Sequence, residues 1–467
     1  MTGIKVQNRG GFRWGVGAIV WMLTCGCGGL DGESELRPDL VLVTIDTLRS
    51  DHVGAYGYAR PTTPRIDALA ASGVRFDRAY AQAPWTLPSM ASLHTSLPPL
   101  RHGAVGNNSV LAGDVVTLAE VLRDSGYRTL GVVSHQFLGT KHGLSQGFEV
   151  FDESQIVDVD DYSAEGVTRA ALAHLAEPDT PELEPFFLWV HYFDPHYTYV
   201  RHPEFAFTDE YWGIFGHNAP MVSYLDLVRV SNDEAMMARL TEADLEFIRA
   251  AYDEEIAHTD KWIGALVDGL EERFSSQPRV MVVTADHGEF FMERGRFGHG
   301  YDVYDLLVRV PLFISGSIPF ELRGRVEHRA VELASLAHTL ARLAGVGNPP
   351  FAGHDLLAVA SGAAEPGIVF TEGIFAFGPE ERKVAAVEGG WKLIHHRDDD
   401  RYELYQTDAD PAETRDLWTE ASPPVAKIRQ RLRSAVETYE AAGAVRAPER
   451  ELSADERAQL RALGYVE

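Results

Sequence analysis

Three apolar runs rich in branched and aromatic residues constrain the fold of this chain most strongly. They span Leu40 to Ile45, Phe186 to His191 and Arg279 to Thr284, and segments with helical periodicity lie between them. Short and almost continuously apolar runs are typical of strands that are buried on both faces. Buried strands that alternate with helices predict an α/β fold, in which helices cover both sides of a mostly parallel sheet.

Acidic residues follow two of these strands closely. Asp46 comes directly after the first run, and Asp286 and His287 come shortly after Arg279 to Thr284. Ligands of open α/β sheets bind at the carboxyl ends of the strands. Two carboxylates and one imidazole at such ends can hold a hard or borderline divalent cation. We therefore predict that Asp46, Asp286 and His287 are metal ligands; the alternative is a loop in which Asp286 only caps the backbone.

Thr86 lies between Pro84 and Pro88, ahead of small and apolar residues that can form a helix. The prolines favour extended or turn backbone before the helix, so Pro88 and Ser89 are expected in its first turn. The amino end of a helix stabilises anions through its unpaired N–H groups and its dipole. Thr86 is therefore a candidate reacting hydroxyl beside a phosphate or sulfate site, and a helix cap is the alternative.

The N-terminal segment resembles an export signal. Basic residues precede the apolar stretch from Trp14 to Thr24, which is too short to span a bilayer and is followed by Cys25, Gly26 and Cys27. A cysteine beside glycine resembles a bacterial lipoprotein cleavage site, with Cys27 as the expected lipidated residue and Cys25 as the second candidate. We expect an exported lipoprotein that faces the periplasm or the cell surface. An uncleaved anchor and a plain signal peptide are the alternatives.

Charge and cysteine content narrow the range of partners. The formal net charge of -27 argues against nucleic acid and anionic membrane surfaces, because both require basic protein surfaces. Membrane contact is therefore expected only through the lipid anchor. Since both cysteines lie in the leader, the rest of the chain has neither an internal disulfide nor a cysteine nucleophile. These features leave the oligomeric state open.

Three ordered blocks of the chain resemble the sulfatase family of the alkaline phosphatase superfamily. They are Val43 to Asp51, Pro84 to Ser96 and Thr284 to Glu289, and the resemblance continues to about Leu417. It implies an alkaline-phosphatase-like three-layer sandwich with a mostly parallel central sheet, plus a small C-terminal antiparallel-sheet subdomain. The expected division is a leader at 1–27, a linker at 28–39, a sulfatase-like catalytic domain at 40–365 and the C-terminal subdomain at 366–467.

The resemblance also implies roles for single residues. Thr86 is the expected nucleophile and completes the metal shell, whereas His196 and His299 contact the transferred group or protonate the leaving oxygen. Arg49 and Asn107 are the expected substrate contacts. The alternative for each histidine is a structural hydrogen bond, and the alternative for Arg49 is a salt bridge to Asp51 or another nearby acid.

One cofactor is expected, a single divalent metal ion. The family favours Ca²⁺ and usually supplies two adjacent aspartates from the first block. Here Thr47 stands in the second position. With one carboxylate fewer and a histidine present, Mn²⁺ and Zn²⁺ become candidates beside Ca²⁺.

The chain departs from the family at residues that serve a formylglycine. Thr86 stands where sulfatases carry the Cys or Ser that is oxidised to formylglycine, and Met90 stands where they carry an arginine. Ser134, His135 and Gln136 occupy the place of a lysine and a histidine. Oxidation of threonine at Cβ would give a ketone and not an aldehyde, so formylglycine is not available. Attack by a hydroxyl is also the chemistry of phosphodiesterases and phosphonate ester hydrolases that resemble this chain.

Together these features predict a metal-dependent hydrolase of the sulfatase family. It is expected to cleave a sulfuric or phosphoric ester of a small molecule or glycan through a threonine nucleophile. One alternative is a phosphoethanolamine or phosphoglycerol transferase, a class that also uses threonine but usually has several membrane spans. The other alternative is a non-catalytic lipoprotein that binds an anionic glycan.

Overall fold

The computed structural model describes residues 37–156, 163–176, 184–208, 210–373 and 382–462. The predicted leader, including Cys27, lies outside these ranges. Within them, no helix combines the length and the hydrophobicity that a membrane span requires.

The strands in this part of the chain are β1 (Asp39–Ile45), β2 (Val74–Phe76), β3 (Ala79–Tyr80), β4 (Arg128–Val133), β5 (Val150–Asp152), β6 (Phe186–Tyr192), β7 (Tyr199–Val200), β8 (Met221–Val222), β9 (Arg279–Ala285), β10 (Phe290–Phe291), β11 (Phe297–Gly298), β12 (Arg309–Val310), β13 (Leu312–Gly316), β14 (Arg325–Glu327), β15 (Val331–Glu332), β16 (Val369–Gly373), β17 (Lys383–Glu388), β18 (Trp391–His396) and β19 (Arg401–Gln406).

The α-helices are α1 (Pro64–Ser72), α2 (Thr86–Thr95), α3 (Pro99–His102), α4 (Leu118–Asp124), α5 (Ala164–Leu175), α6 (Tyr224–Asn232), α7 (Glu234–Met237), α8 (Glu242–Arg273), α9 (Asp305–Val308), α10 (Ser335–Leu343), α11 (Leu356–Ser361), α12 (Pro423–Ala441) and α13 (Ala454–Ala462).

The central sheet has the spatial strand order β14, β2, β13, β9, β1, β6, β4 and β5. β1 pairs in parallel with β6 on one side and with β9 on the other. β4 extends the parallel set beyond β6, whereas β13 runs antiparallel to both β9 and β2. The prediction of a mostly parallel sheet is therefore confirmed. The antiparallel strand β13 follows Pro311, where the alternation of strands and helices weakens in the sequence.

Burial explains why the central strands show no alternation of polar and apolar residues. Every residue of β1 and β6 is buried. Helices α1, α5 and α8 pack into one layer against the sheet, and α2, α4 and α10 pack into another. A strand with neighbours on both edges and helices on both faces exposes no side chain to water, so both sides of it are apolar.

The long helix α8 connects the loops at the carboxyl edge of the sheet. Asp253, Glu254 and Glu255 lie buried in its middle. Asp253 accepts a hydrogen bond from the hydroxyl of Tyr58 at 2.6 Å, and Glu254 accepts two from Arg201 at 2.7 Å. Because buried carboxylates require partners, these bonds anchor two separate loops to one helix.

A small antiparallel sheet of β16, β17, β18 and β19 follows the central sheet in the chain, as predicted. A buried cluster of charges connects it to the core. Lys392 on β18 forms ion pairs with Asp305 on α9 at 2.8 Å and with Glu413 at 3.0 Å. The first strand of this sheet begins at Val369, and the subdomain boundaries given above remain predictions.

Candidate functional site

The carboxyl ends of β1, β6 and β9 bring a group of metal-binding side chains together. In the strand register Thr44 pairs with His191 and Ile45 pairs with Ala285. Asp46 and Asp286, one residue beyond these strands, therefore lie beside His191. One ligand atom of each of these three residues lies within 4.8 Å of the others, and all three residues are buried. The structure thus brings the two predicted carboxylates together at the ends of two neighbouring strands in the middle of the sheet.

His287 adds a second imidazole to this centre. Its Nε2 atom lies 3.6 Å from Asp46 Oδ1 and 3.3 Å from Asp286 Oδ2. Its Nδ1 atom lies 2.9 Å from the carbonyl oxygen of Gly288, which can only accept a hydrogen bond. Nδ1 therefore carries a proton, and in the neutral ring the lone pair lies on Nε2. That lone pair is available to a metal at the point where the two carboxylates meet.

The two carboxylates are only half satisfied by the protein. Asp286 Oδ1 accepts hydrogen bonds from the backbone N–H groups of His287 at 2.8 Å and Thr47 at 3.2 Å. Asp286 Oδ2 and Asp46 Oδ1 are buried and accept no hydrogen bond from the described residues. Burial and the nearby charge of Asp286 both raise the pKa of Asp46 well above its usual value. Buried oxygens of this kind are costly without a partner, and a divalent cation satisfies them.

Thr86 is the first residue of α2. Trp85 occupies the N-cap position with extended backbone, so the helix begins two residues before Pro88 and the Thr86 side chain is not the cap. Thr86 Oγ1 lies 3.4 Å from His287 Nε2. The hydroxyl of Ser89 donates a 2.6 Å hydrogen bond to the carbonyl oxygen of Asp286, which ties the start of the helix to the metal-binding loop. The hydroxyl of Thr86 therefore lies at the edge of the carboxylate centre.

His299 and His196 extend the site away from Thr86. The ring of His299 lies 4.3 Å from that of His287 and 5.0 Å from that of His196, measured between ring centroids. His299 Nδ1 lies 3.2 Å from Glu289 Oε1, and His196 Nδ1 donates to the carbonyl oxygen of Tyr197 at 2.7 Å. The carbonyl oxygen of Tyr197 can only accept, so Nδ1 of His196 carries a proton and the lone pair of its neutral ring lies on Nε2.

Arg49 and Asn107 are the two predicted substrate contacts. The guanidinium of Arg49 pairs with Asp51 at 2.7 Å and with Glu293 at 2.6 Å, which is the salt-bridge alternative. It also donates to the carbonyl oxygen of Glu289 at 3.1 Å. Asn107 lies in a half-buried turn that follows α3. The structure therefore gives Arg49 acidic partners of its own.

Sequence reasoning did not assign a metal role to His191. Its Nε2 atom lies 3.3 Å from Asp46 Oδ2, and its Nδ1 atom lies 2.8 Å from the hydroxyl of Thr44. The sequence did contain a signal for this role. His191 stands at the end of one apolar run, just as Asp46 follows the end of another. What the sequence did not contain was the pairing of β1 with β6, which places these two ends side by side.

His135 is a second imidazole whose place only the structure revealed. It follows β4 at the position where the chain departs from the lysine and histidine of sulfatases. Its Nδ1 accepts the backbone N–H of Phe137 at 3.1 Å, so Nε2 carries the proton of the neutral ring. Nε2 lies 3.9 Å from Asp46 Oδ2. Where the chain departs from the sulfatase pattern, His135 therefore supplies a polar group near Asp46.

Burial sets the charge of these histidines. It lowers the pKa of His191 to about 4 and that of His196 to about 3, and it lowers the pKa of His135 and His299 well below the usual range. These four rings are therefore neutral at pH 7. These rings therefore carry no positive charge that would attract an anion, whereas the amino end of α2 presents the positive end of its dipole.

The chain is similar to known proteins over most of its length. The sequence profile of the family described as Sulfatase matches residues 38–346. A Delta 4,5-hexuronate-2-O-sulfatase of Bacteroides thetaiotaomicron is 24% identical over 451 residues, which cover 88% of this chain and 90% of the relative.

Solved structures share the fold at low sequence identity. One, determined in complex with its substrate D-glucosamine-2-N,6-O-disulfate, has a TM-score of 0.67 and 20% identity, and the match covers 87% of this chain and 98% of the other. A phosphonate monoester hydrolase of Agrobacterium radiobacter has a TM-score of 0.65 and 21% identity, with coverage of 87% and 96%.

Proposed function

Because this chain belongs to the sulfatase family, we propose that it hydrolyses a sulfuric or phosphoric ester with Thr86 as nucleophile beside a divalent cation. One observation carries the proposal. Thr86 Oγ1 lies 3.4 Å from His287 Nε2, at a centre where two buried carboxylate oxygens accept no hydrogen bond from the described residues. A helix that only packed against the sheet would need neither feature.

The residues that would hold the cation are Asp46, Asp286 and His287, joined by His191 and the hydroxyl of Thr86. When bound there, the cation supplies Lewis acidity that lowers the pKa of the hydroxyl and polarises the ester oxygen. Two carboxylates with imidazoles suit Mn²⁺ or Zn²⁺, and the family resemblance favours Ca²⁺. Metal identity is therefore part of the test below.

The reaction proceeds in two displacements. Thr86 Oγ1 gives up its proton to Nε2 of His299 or His196, directly or through water, and attacks the sulfur or phosphorus atom. The bond from that atom to the ester oxygen then breaks, and the alcohol leaves with the proton that the imidazole returns. Water then attacks the same atom of the threonine ester, which releases sulfate or phosphate and restores the hydroxyl. The amino end of α2, where Thr86 lies, stabilises the anionic group through both steps.

The leaving alcohol requires a proton, and His299 and His196 are the proposed donors. Because both rings are neutral at pH 7, the donating ring must first take up the proton that Thr86 releases. Glu289 accepts the Nδ1 proton of His299, and the Tyr197 carbonyl oxygen accepts that of His196. With the proton on Nδ1, the lone pair of each neutral ring lies on Nε2, which we assign as the transferring nitrogen, and the Nδ1 contact holds the ring in one orientation. Arg49 would influence the substrate through the acidic residues that it holds and not through a free guanidinium.

Similarity to known proteins and the chemistry of Thr86 favour different substrates. Similarity to a hexuronate sulfatase and to a structure with a sulfated saccharide favours a sulfated glycan as substrate. Thr86 cannot form the aldehyde of formylglycine, and a threonine ester must be opened by attack at sulfur or phosphorus. That requirement, together with the likeness to a phosphonate monoester hydrolase, makes a phosphoric ester the second candidate.

Parallel rates on three substrates test the proposal. An aryl sulfate, a phosphate monoester and a phosphate diester are each assayed with Ca²⁺, Mn²⁺ and Zn²⁺ supplied in turn. Thr86→Ala should abolish turnover without loss of fold, while the matched variant Thr86→Ser retains the hydroxyl and should retain activity. Equal activity of Thr86→Ala and wild type would overturn the nucleophile assignment. Transfer of the group to an alcohol in preference to water would favour the transferase alternative, and binding of a sulfated glycan without turnover would favour the non-catalytic one.

Export as a lipoprotein is also proposed. The apolar segment and the Gly26-Cys27 pair support it, and Cys27 lies outside the described residues. Metabolic labelling with a fatty acid should mark the mature protein and should fail in Cys27→Ser. An unlabelled wild-type product would contradict the lipid anchor.

A further inference from the structure

A second group of metal-binding side chains lies outside the site described above. His202 and Glu204 flank Pro203 at the start of a short 3-10 turn, and His258 lies on α8. One ligand atom of each lies within 4.8 Å of the others. Both histidines are buried, whereas Glu204 is exposed. None of these residues belongs to the centre formed by Asp46 and Asp286.

Glu255 contacts one member of this group, His202. It lies one helical turn before His258, so both side chains leave the same face of α8. Glu255 Oε2 lies 3.1 Å from His202 Nε2, and its Oε1 accepts the backbone N–H of Val200 at 2.8 Å. An ion pair accounts for His202 and Glu255, but it does not account for the convergence of His258 and Glu204 on the same point.

We propose that His202, His258 and Glu204, with Glu255 as a fourth donor, bind a divalent cation that prefers imidazole, with Zn²⁺ as the first candidate. Two imidazoles and carboxylate oxygens are a common ligand set for zinc, and a water molecule can complete it. Imidazole nitrogen is a good ligand for Zn²⁺, whereas Ca²⁺ prefers oxygen ligands. A donor set with two imidazoles therefore favours Zn²⁺ over Ca²⁺.

Binding requires movement of the side chains. Bonds of about 2.0–2.1 Å to a tetrahedral ion place two donors about 3.4 Å apart, so atoms now within 4.8 Å must draw together. The rings of His202 and His258 are stacked at 4.2 Å with an interplanar angle of 15°. Parallel rings cannot direct both lone pairs at one point, so the His258 ring must tilt. Glu204 can swing inward because its side chain is exposed.

Such a cation would tie a loop of the proposed catalytic site to the long helix. The segment between β6 and β7 carries His196 and leads directly to His202. Arg201 already binds Glu254 at 2.7 Å, and the backbone N–H of His202 donates to the same carboxylate at 2.9 Å. A cation at this group would add a third connection at the same place. Its expected role is structural, because ligands that bind only the folded protein stabilise it.

Metal content measures this site independently of activity. The experiment uses Asp286→Asn, which disables the first centre, after removal of metal and reconstitution with Zn²⁺ alone. This variant should retain about one Zn²⁺ per chain and should melt at a higher temperature with Zn²⁺ than without it. Adding His258→Gln should abolish both effects. Adding Glu204→Ala, an exposed position that does not endanger folding, should weaken Zn²⁺ binding at least about tenfold.

A matched control separates the site from ordinary histidine–carboxylate pairs. His174 lies 2.8 Å from Asp152 in such a pair, and among the described residues no second histidine forms a metal-binding group with them. Adding His174→Gln to Asp286→Asn should leave Zn²⁺ content unchanged. The inference is overturned if folded Asp286→Asn binds no Zn²⁺, or if Glu204→Ala and His258→Gln both bind it as tightly as their parent. The two substitutions are also made singly. If Asp286→Asn keeps the metal content of wild type while His258→Gln loses one Zn²⁺ per chain, the metal centre proposed above is refuted and this one is supported.

Discussion

His94 is expected to make the folded protein sensitive to acid. It lies on α2, and its ring packs against Trp189 with 4.3 Å between centroids. Both ring nitrogens are buried and have no hydrogen-bond partner among the described residues. Burial, followed by the charge of His191, lowers the pKa of His94 to about 3. In the unfolded chain the same ring has a pKa of about 6.5.

The sign and the size of the effect follow from this difference. Below pH 6.5 the unfolded chain takes up a proton that the folded protein does not bind, so the free energy of unfolding falls as the pH falls. Each pH unit costs about 1.4 kcal/mol. The loss reaches about 2 kcal/mol at pH 5.0 and about 5 kcal/mol near pH 3, where the folded protein also binds the proton. The stability is fully present above pH 6.5.

His94→Leu removes the titrating group and the two unpaired nitrogens while keeping the site apolar. Urea unfolding of both proteins at pH 7.5 and pH 5.0 measures the free energy of unfolding. The drop between these pH values should be about 2 kcal/mol smaller in the variant than in wild type. Constant differences in packing cancel, because only the change with pH is compared.

A control variant makes the result specific. His217→Gln changes a histidine whose side chain is largely exposed and lies 3.1 Å from Glu210. It should leave the pH dependence close to that of wild type. Equal pH dependence in wild type and His94→Leu would refute the reasoning, because it would mean that burial does not keep this ring neutral.

Three further predictions concern the buried charges. Asp46→Asn should lower divalent metal content and activity, yet stabilise the metal-free protein by about 1–2 kcal/mol in thermal unfolding, because it removes a carboxylate that burial and the charge of Asp286 both disfavour; a metal-free variant no more stable than wild type would contradict this. Lys392→Met leaves two buried carboxyl groups without their cation and should destabilise by about 3–5 kcal/mol in urea unfolding, with a smaller loss at acidic pH. Glu289→Gln should slow turnover of esters with poor leaving groups about 10-fold to 100-fold and activated aryl esters much less, since only the former need a proton from His299; equal losses on both substrates would argue for a merely structural role.

Local patterns were sufficient for the main elements of the fold. The apolar runs predicted β1, β6 and β9 to within one or two residues. α8 begins with a capping box formed by Thr241 and Asp244, a pattern that lies within four consecutive residues. Such features depend on neighbouring residues, because burial on both faces and helix capping leave their mark within a few positions.

The position of site residues along the chain was also readable. Asp46 follows a strand directly, and Asp286 and His287 follow the end of another. Any parallel sheet brings strand ends to one edge. The prediction that these ends form one centre therefore needed only the strand type. It did not need the order of the strands.

The amino-acid sequence by itself determined the class of fold, the elements that carry the site and the presence of a threonine at the start of a helix. Only the tertiary structure decided that His191 lies beside Asp46, that Arg49 pairs with Asp51 and Glu293, and that His258 lies near His202. The physical reason is that periodicity and capping are local, whereas strand order, strand register and the packing of loops on α8 depend on contacts between residues far apart in the chain.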